Sequence, residues 1–218
     1  MSIAAHHALP VPEVLKGILR SQAALDIILV EGHEEYLRLH HFHRNVSDGT
    51  DMVKIDNGSG DHMYILFHEA GAVMKGFDHE SALSPYANEE ETVAPGIYED
   101  VPGDLLALLG EETEREDVTF CLWRTPTDTA WKKGNVVIPE DEDDGEGFLL
   151  GLIFIDADAW LEWAKDYYEM AEREGQLEAV ASIYRLEPVT AAIIAALNPD
   201  RDSVSALEEL EAIGYPVA

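Results

Sequence analysis

The sequence predicts an α+β fold: a curved antiparallel meander sheet packed on an N-terminal helix and a C-terminal helical half. Three observations predict it. Apolar residues recur at helical spacing near the start, short strand-like runs alternate with turn residues through the middle, and helical spacing returns after an acidic run at 139–147. Hairpins joined in series need no crossover helix, so the sheet is antiparallel and not doubly wound. The 218 residues are 46% hydrophobic and 27% charged, which permits a core and does not fit a disordered chain.

Each element has its own signal. Pro12 suits a first helical position. Val14, Leu15, Ile18, Leu19, Leu25, Ile28 and Leu29 follow at spacings of three and four, and Gly32 ends the helix. Residues 36–43 are rich in aromatic and aliphatic side chains without turn residues and read as a strand; 52–55 read as a second. Asn57-Gly58-Ser59-Gly60 is a hairpin signal, followed by a strand at 62–68, the turn Glu69-Ala70-Gly71 and a strand at 72–77. Residues 78–101 have no period. Pro85, Pro95, Gly96 and the triplet Glu89-Glu90-Glu91 mark them as a long loop, which in a compact domain is usually functional or mobile. Pro102 opens a short helix that Gly110 closes. Residues 118–124 read as a strand, and 131–138 as its hairpin partner. Residues 148–155 fit either a strand or a short buried helix. Asp156 or Asp158 caps the next helix, with Trp160, Trp163, Ala164, Tyr167 and Met170 on one stripe. Further helices follow at 176–185, from Pro188 to a stop at Asn198-Pro199, and after a Ser203 cap. This divides the chain into helix plus sheet over 1–138, an acidic linker or loop over 139–147, and a helical half over 148–218 packed with the first part as one domain.

Charge narrows the function classes. Asp and Glu number 44 against 14 Lys and Arg, a formal charge of −30. Phosphate binding needs clustered Lys and Arg, so neither nucleic acid nor an anionic membrane surface is an expected partner. The balance fits a self-repelling soluble protein or one with a basic partner. The longest apolar run, 148–155, is roughly half of the ~20 residues a membrane-spanning helix needs. Residues 1–9 carry no Lys or Arg ahead of an apolar run, so no secretory signal is expected. Cys121 is the single cysteine, which excludes an internal disulfide and a thiolate zinc site and points to the cytoplasm.

Candidate chemistry is sparse. On strands, His41 and His43 share a face, and so do His62 and His68. Four imidazoles on one sheet surface would suit zinc or another divalent metal, while the plainer reading leaves them as surface or half-buried strand residues. His33-Glu34-Glu35-Tyr36-Leu37 lacks the second histidine of a zincin motif. The acidic run approaches a calcium loop, with Glu140, Glu142 and Asp144 before Gly145, but Gly151 stands where the bidentate glutamate belongs. Asp78-His79-Glu80-Ser81 has catalytic residue types in a row, but neighbours in sequence rarely form a triad; a turn capped by its own side chains is the better reading. Neither a nucleophile elbow nor a phosphate-binding loop is present. Cys121, on a strand, reads as inert core. Trp123, Trp131, Trp160, Trp163, Tyr167 and Tyr168 fit core packing better than a ligand pocket.

The block Gly60-Asp61-His62-Met63-Tyr64, the string Phe77-Asp78-His79-Glu80-Ser81, and Asp166-Tyr167-Tyr168 near Trp163 resemble an uncharacterised family of bacterial cytoplasmic proteins over about residues 50–215. In size, acidity and fold class the chain is also similar to immunity proteins of bacterial polymorphic toxin systems. It lacks the glycine-rich turn after a Leu-Pro step that marks the SUKH immunity superfamily. The similarity implies a protein-binding module without catalysis or cofactor, neutralising or regulating a basic protein. The acids placed to steer such a partner are Glu89, Glu90 and Glu91, and Asp141, Asp143 and Asp144. The alternative is a histidine-rich metal-binding protein or metal-dependent enzyme at His41, His43, His62 and His68.

Overall fold

The computed structural model describes residues 5–87 and 91–218. It has the α+β architecture. In chain order the elements are α1 (Pro12–Leu29), β1 (His40–Ser47), β2 (Thr50–Asp56), β3 (His62–His68), β4 (Gly71–Phe77), α2 (Gly103–Leu106), β5 (Phe120–Arg124), β6 (Lys132–Lys133), α3 (Glu146–Leu150), α4 (Ala157–Tyr167), α5 (Gln176–Tyr184), α6 (Ala191–Leu197) and α7 (Ser203–Ala212). The six strands form one open meander in the order β1-β2-β3-β4-β5-β6. By packing, the chain divides into two compact units: residues up to Leu15 with Asn45–Leu152, and Lys16–Arg44 with Ile153–Ala218.

The first unit is built on the meander. Asp56 pairs with His62 across the Asn57–Gly60 turn, and His68 pairs with Gly71 across the next. Every residue of β4 is buried. Leu66, Val73, Leu105, Val118, Cys121 and Trp123 belong to one apolar cluster. Removing each such side chain from water contributes roughly 1.5–3 kcal/mol. Cys121 has no exposure, and burial pushes its thiol up, so it is inert core as expected.

The second unit is helical. Ala24, Leu25 and Ile28 of α1 pack with Trp160, Val180, Ile194 and Leu210. Local chemistry fixes the helix starts. The Asp156 side chain accepts from Ala159 N at 2.9 Å, Thr190 from Ile193 N at 3.3 Å, and Asp202 from Ser205 N at 2.8 Å. α4 ends when Glu169 takes φ 49° and Met170 N reaches back to Lys165 O at 3.0 Å.

Several boundaries differ from the sequence reading. The strand expected over 36–43 begins only at His40, because Gly32–Leu37 forms a 3-10 turn. Arg38 explains it: its guanidinium Nη2 donates to Val30 O at 2.7 Å, satisfying a carbonyl at the end of α1 and folding the segment back. The partner strand expected over 131–138 shrinks to Lys132–Lys133. Beyond it, the backbone of Gly96 and Ile97 lies against Gly134 and Asn135 and occupies the space another ladder would need. Of residues 148–155, 148–150 form the end of α3 (Glu146–Leu150), 151–155 continue as turn and irregular chain, and none is strand. Asp202, not Ser203, caps α7. α6 starts at Ala191, since Val189 bridges to Val217 instead.

Gly76 tests the sheet packing. A Cβ there would collide with ring atoms of Phe120, which pairs with it across β4 and β5. Gly76→Ala is expected to lower the unfolding free energy by about 1–3 kcal/mol in urea melts. An unchanged midpoint would mean that Phe120 moves aside freely.

Candidate partner-binding face

The acidic run joins β6 to α3 in the first unit. Its outer residues, Glu140, Asp141, Glu142 and Asp143, are all exposed. Its base is pinned. Ser81 Oγ donates to Asp143 O at 2.8 Å, and Thr119 Oγ1 donates to Asp144 O at 2.7 Å. Gly145 N donates to Asp143 Oδ1 at 2.7 Å. Gly145 has φ 76°, and a Cβ on it would strike the Asp78 side chain, so glycine is required on both counts.

Beneath the loop lies a buried ionic cluster. Lys133 Nζ stands 2.5 Å from Asp144 Oδ2 and 2.5 Å from Glu146 Oε2. Glu146 Oε1 also accepts from His6 N at 2.8 Å and lies 2.8 Å from His6 Nδ1. Burial alone would raise the Glu146 carboxyl, but the hydrogen bonds from Lys133 and His6 outweigh it and hold the group below its ordinary value. Burial would likewise lower Lys133; Asp144 and Glu146 reverse that and hold the ammonium up. Asp144, expected among the outward steering acids, is therefore an internal anchor.

The Asp78–Ser81 segment is a capped turn, as its composition predicts. Asp78 Oδ1 accepts from Glu80 N at 2.9 Å, and Ser81 Oγ from Leu83 N at 3.1 Å. Asp61 Oδ1 accepts from His79 N at 3.0 Å and lies 2.6 Å from His79 Nδ1. That contact holds the imidazole above its ordinary value. The turn and the acidic loop, separate in the sequence, thus meet at Ser81–Asp143 and Asp78–Gly145. Glu80 in the turn and residues 140–143 in the loop are exposed, whereas Asp61 is buried against Asn57 and His79. Val137, 85% exposed, and Phe148, 49% exposed, flank the loop in sequence.

The other expected residues lie elsewhere. Glu89 and Glu90 fall outside the described residues; Glu91 is exposed. The histidines do not form a ligand set of four. His62 and His68 stand at opposite ends of β3, and β2 separates that strand from β1. His41 and His43 stack on each other with ring centroids 6.5 Å apart. His62 Nε2 lies 3.2 Å from Lys75 Nζ and 3.1 Å from Glu114, and burial with the Lys75 charge pushes it down to about 4. His68 Nδ1 accepts from Ala70 N at 3.2 Å. Among the described residues, the grouping with metal-ligand potential is Asp61, Asp78 and His79, whose ligand atoms lie within 4.8 Å of one another.

Sequence reasoning missed two lysines. Lys133 was unremarkable by composition. Lys75 is fully buried on β4 and donates to Glu114 O at 2.7 Å and Asp117 O at 2.5 Å, with burial lowering it to about 7. It pins a second acidic loop, from which Glu111, Glu112 and Glu116 project into solvent. A lone lysine within an otherwise apolar strand was the available signal.

No protein-family model matches the chain, and neither a curated protein nor a solved structure matches it. Among the described residues no helix is long and apolar enough to cross a membrane.

Lys133→Met would strand two buried carboxylates and is expected to cost about 3–5 kcal/mol at neutral pH. The pH dependence should also change sign. In the parent, the lowered Glu146 contributes stability above the ordinary value of 4.5, lost as pH falls from there through the folded value. In the variant, acidification below neutrality should stabilise, as the stranded carboxylates take up protons. Parallel pH profiles for the two proteins would contradict the anchoring role.

Proposed function

We propose that this protein is a non-enzymatic binding module for a basic protein, with residues 140–143 as its steering element. One observation carries the reading: four outward carboxylates have no cation among the described residues, while the adjacent lysine is turned inward to Asp144 and Glu146. The loop is held in place before any partner arrives, so little ordering entropy opposes binding. Its field raises the encounter rate with a positive surface. Val137 and Phe148 supply apolar contact beside it. The resemblance to immunity proteins gives this reading its biological form, a module that neutralises or regulates the protein it covers.

The test is affinity capture from the native host's lysate with the parent and with Asp141→Asn/Glu142→Gln/Asp143→Asn, at low and high salt. A basic protein is expected with the parent at low salt, with its association rate at least roughly tenfold slower for the variant. Equal recovery and equal rates for both would sink the steering role. Asp144 is left intact because its loss would disturb the Lys133 anchor.

A second reading, a divalent-ion site, rests on the Asp61, Asp78 and His79 grouping and not on the strand histidines. Equilibrium dialysis against Zn²⁺ tests it. Binding that His79→Ala abolishes would support the site, and uptake indifferent to that change would remove it.

A further inference from the structure

The second unit has a pocket of about 540 Å³ lined by the end of α1, the 3-10 turn after it, the chain between α4 and α5, and the end of α6. That volume suits a small ligand or a single side chain. Its distinctive walls are Tyr167 and Tyr168. Their rings stand 4.8 Å apart at 86°, so they form a corner. The corner is stiffened from behind. Tyr167 stacks on Trp163 at 4.6 Å, Phe154 stacks on Trp163 at 4.7 Å, and Trp163 meets Tyr168 edge-on at 5.8 Å. Burial keeps the Tyr168 phenol neutral by pushing it up.

The charges at this pocket have one predominant sign. Glu34 and Glu169 line it. Arg173 is its single basic lining residue, and the guanidinium donates to Leu197 O at 3.3 Å. Asn198 is turned to the open carbonyls of Ile28 and Leu29, at 3.3 and 3.1 Å. Ring faces carry negative potential, and perpendicular rings with a nearby carboxylate suit a cation that is partly stripped of water. An anion would meet Arg173 but also both Glu34 and Glu169, so the lining carries a net negative charge. A neutral apolar ligand would leave the carboxylates unused.

We infer that this pocket binds an organic cation, an alkylammonium group seated in the Tyr167–Tyr168 corner and balanced by Glu34 and Glu169. The inference is independent of the loop at 140–143, which belongs to the other unit. The cation has two sources of the same chemistry: a lysine side chain of a peptide, or a free alkylamine.

The experiment titrates the full chain with Nα-acetyl-lysine amide, with cadaverine, and with the neutral isostere Nα-acetyl-norleucine amide, read by intrinsic fluorescence and by the aromatic resonances. Saturable binding of at least one amine is expected, at least about tenfold tighter than norleucine amide. The amine that binds identifies the source. Tyr167 is 42% exposed, so Tyr167→Ala should fold; it is expected to weaken binding about tenfold, while Tyr167→Phe retains it. Glu34→Gln/Glu169→Gln should weaken it as well. Asp141→Asn/Asp143→Asn should not, which separates the pocket from general attraction to an acidic protein. Norleucine amide binding as tightly as the amines, no saturable binding by either amine, or amine binding indifferent to Tyr167→Ala would overturn the inference.

Discussion

Positive charge is scarce in this chain: 14 lysines and arginines accompany 44 carboxylates. The placement of those few cations decides which segments are held together and which carboxylates stay unbalanced. Lys133 joins β6 to Asp144 and Glu146. Lys75 joins β4 to the carbonyls of Glu114 and Asp117. In the second unit, Arg38 and Arg201 share Glu209, at 2.6 and 2.5 Å, and also hold carbonyls at the end of α1, Val30 O at 2.7 Å and Ile27 O at 3.1 Å. The ion pairs among these, Lys133 with Asp144 and Glu146 and the two arginines with Glu209, add little net stability over apolar packing, yet removing one partner is costly, because the other is left charged and dry.

Other cations pair at the surface, Lys132 with Asp128 and Arg185 with Glu178 and Glu187, but they are too few to balance the exterior carboxylates. At the loop over 140–143 a buried bridge and unbalanced carboxylates occur within a few residues. The inner pair, Asp144 and Glu146, grips Lys133 and makes the loop a fixed object; the outer four face water and carry its field. Thr119 and Ser81 complete the clamp through backbone carbonyls, so sheet and turn both position the charge. The proposed steering role would rest on a run of acids, a lysine in the last strand and a glycine that admits Asp78.

The sequence showed the elements better than the contacts. Asn57–Gly60 and Gly71 announced the hairpins, since turns need residues that accept unusual backbone angles. Asp156 announced a helix start because a cap acts over a few residues. The failures share a cause. Residues 36–39 looked like strand until Arg38 reached Val30, and 134–138 looked like strand until the chain near Gly96 and Ile97 took the space. The site shows the same limit more sharply. Asp144 is chemically identical to Asp143, and nothing local says that one points at Lys133 and the other at water. Glu114 and Asp117 lie far along the chain from Lys75, so only the closed fold reveals what the lysine holds. The tyrosine corner depends on the backbone turn at Glu169, which no spacing rule reports.

The few buried bridges and the excess of exposed carboxylates respond differently to salt. Exposed charges are screened strongly and buried bridges weakly, the screening length falling from about 10 Å at 0.1 M to about 3 Å at 1 M. The most direct test is the unfolding free energy of the parent protein measured in urea across that range of potassium chloride. Stability should rise with salt, as repulsion among the outer acids is damped while the Lys133, Lys75 and Arg201 bridges persist. Stability that falls with salt would place the cations' contribution in exposed ion pairs and contradict the account.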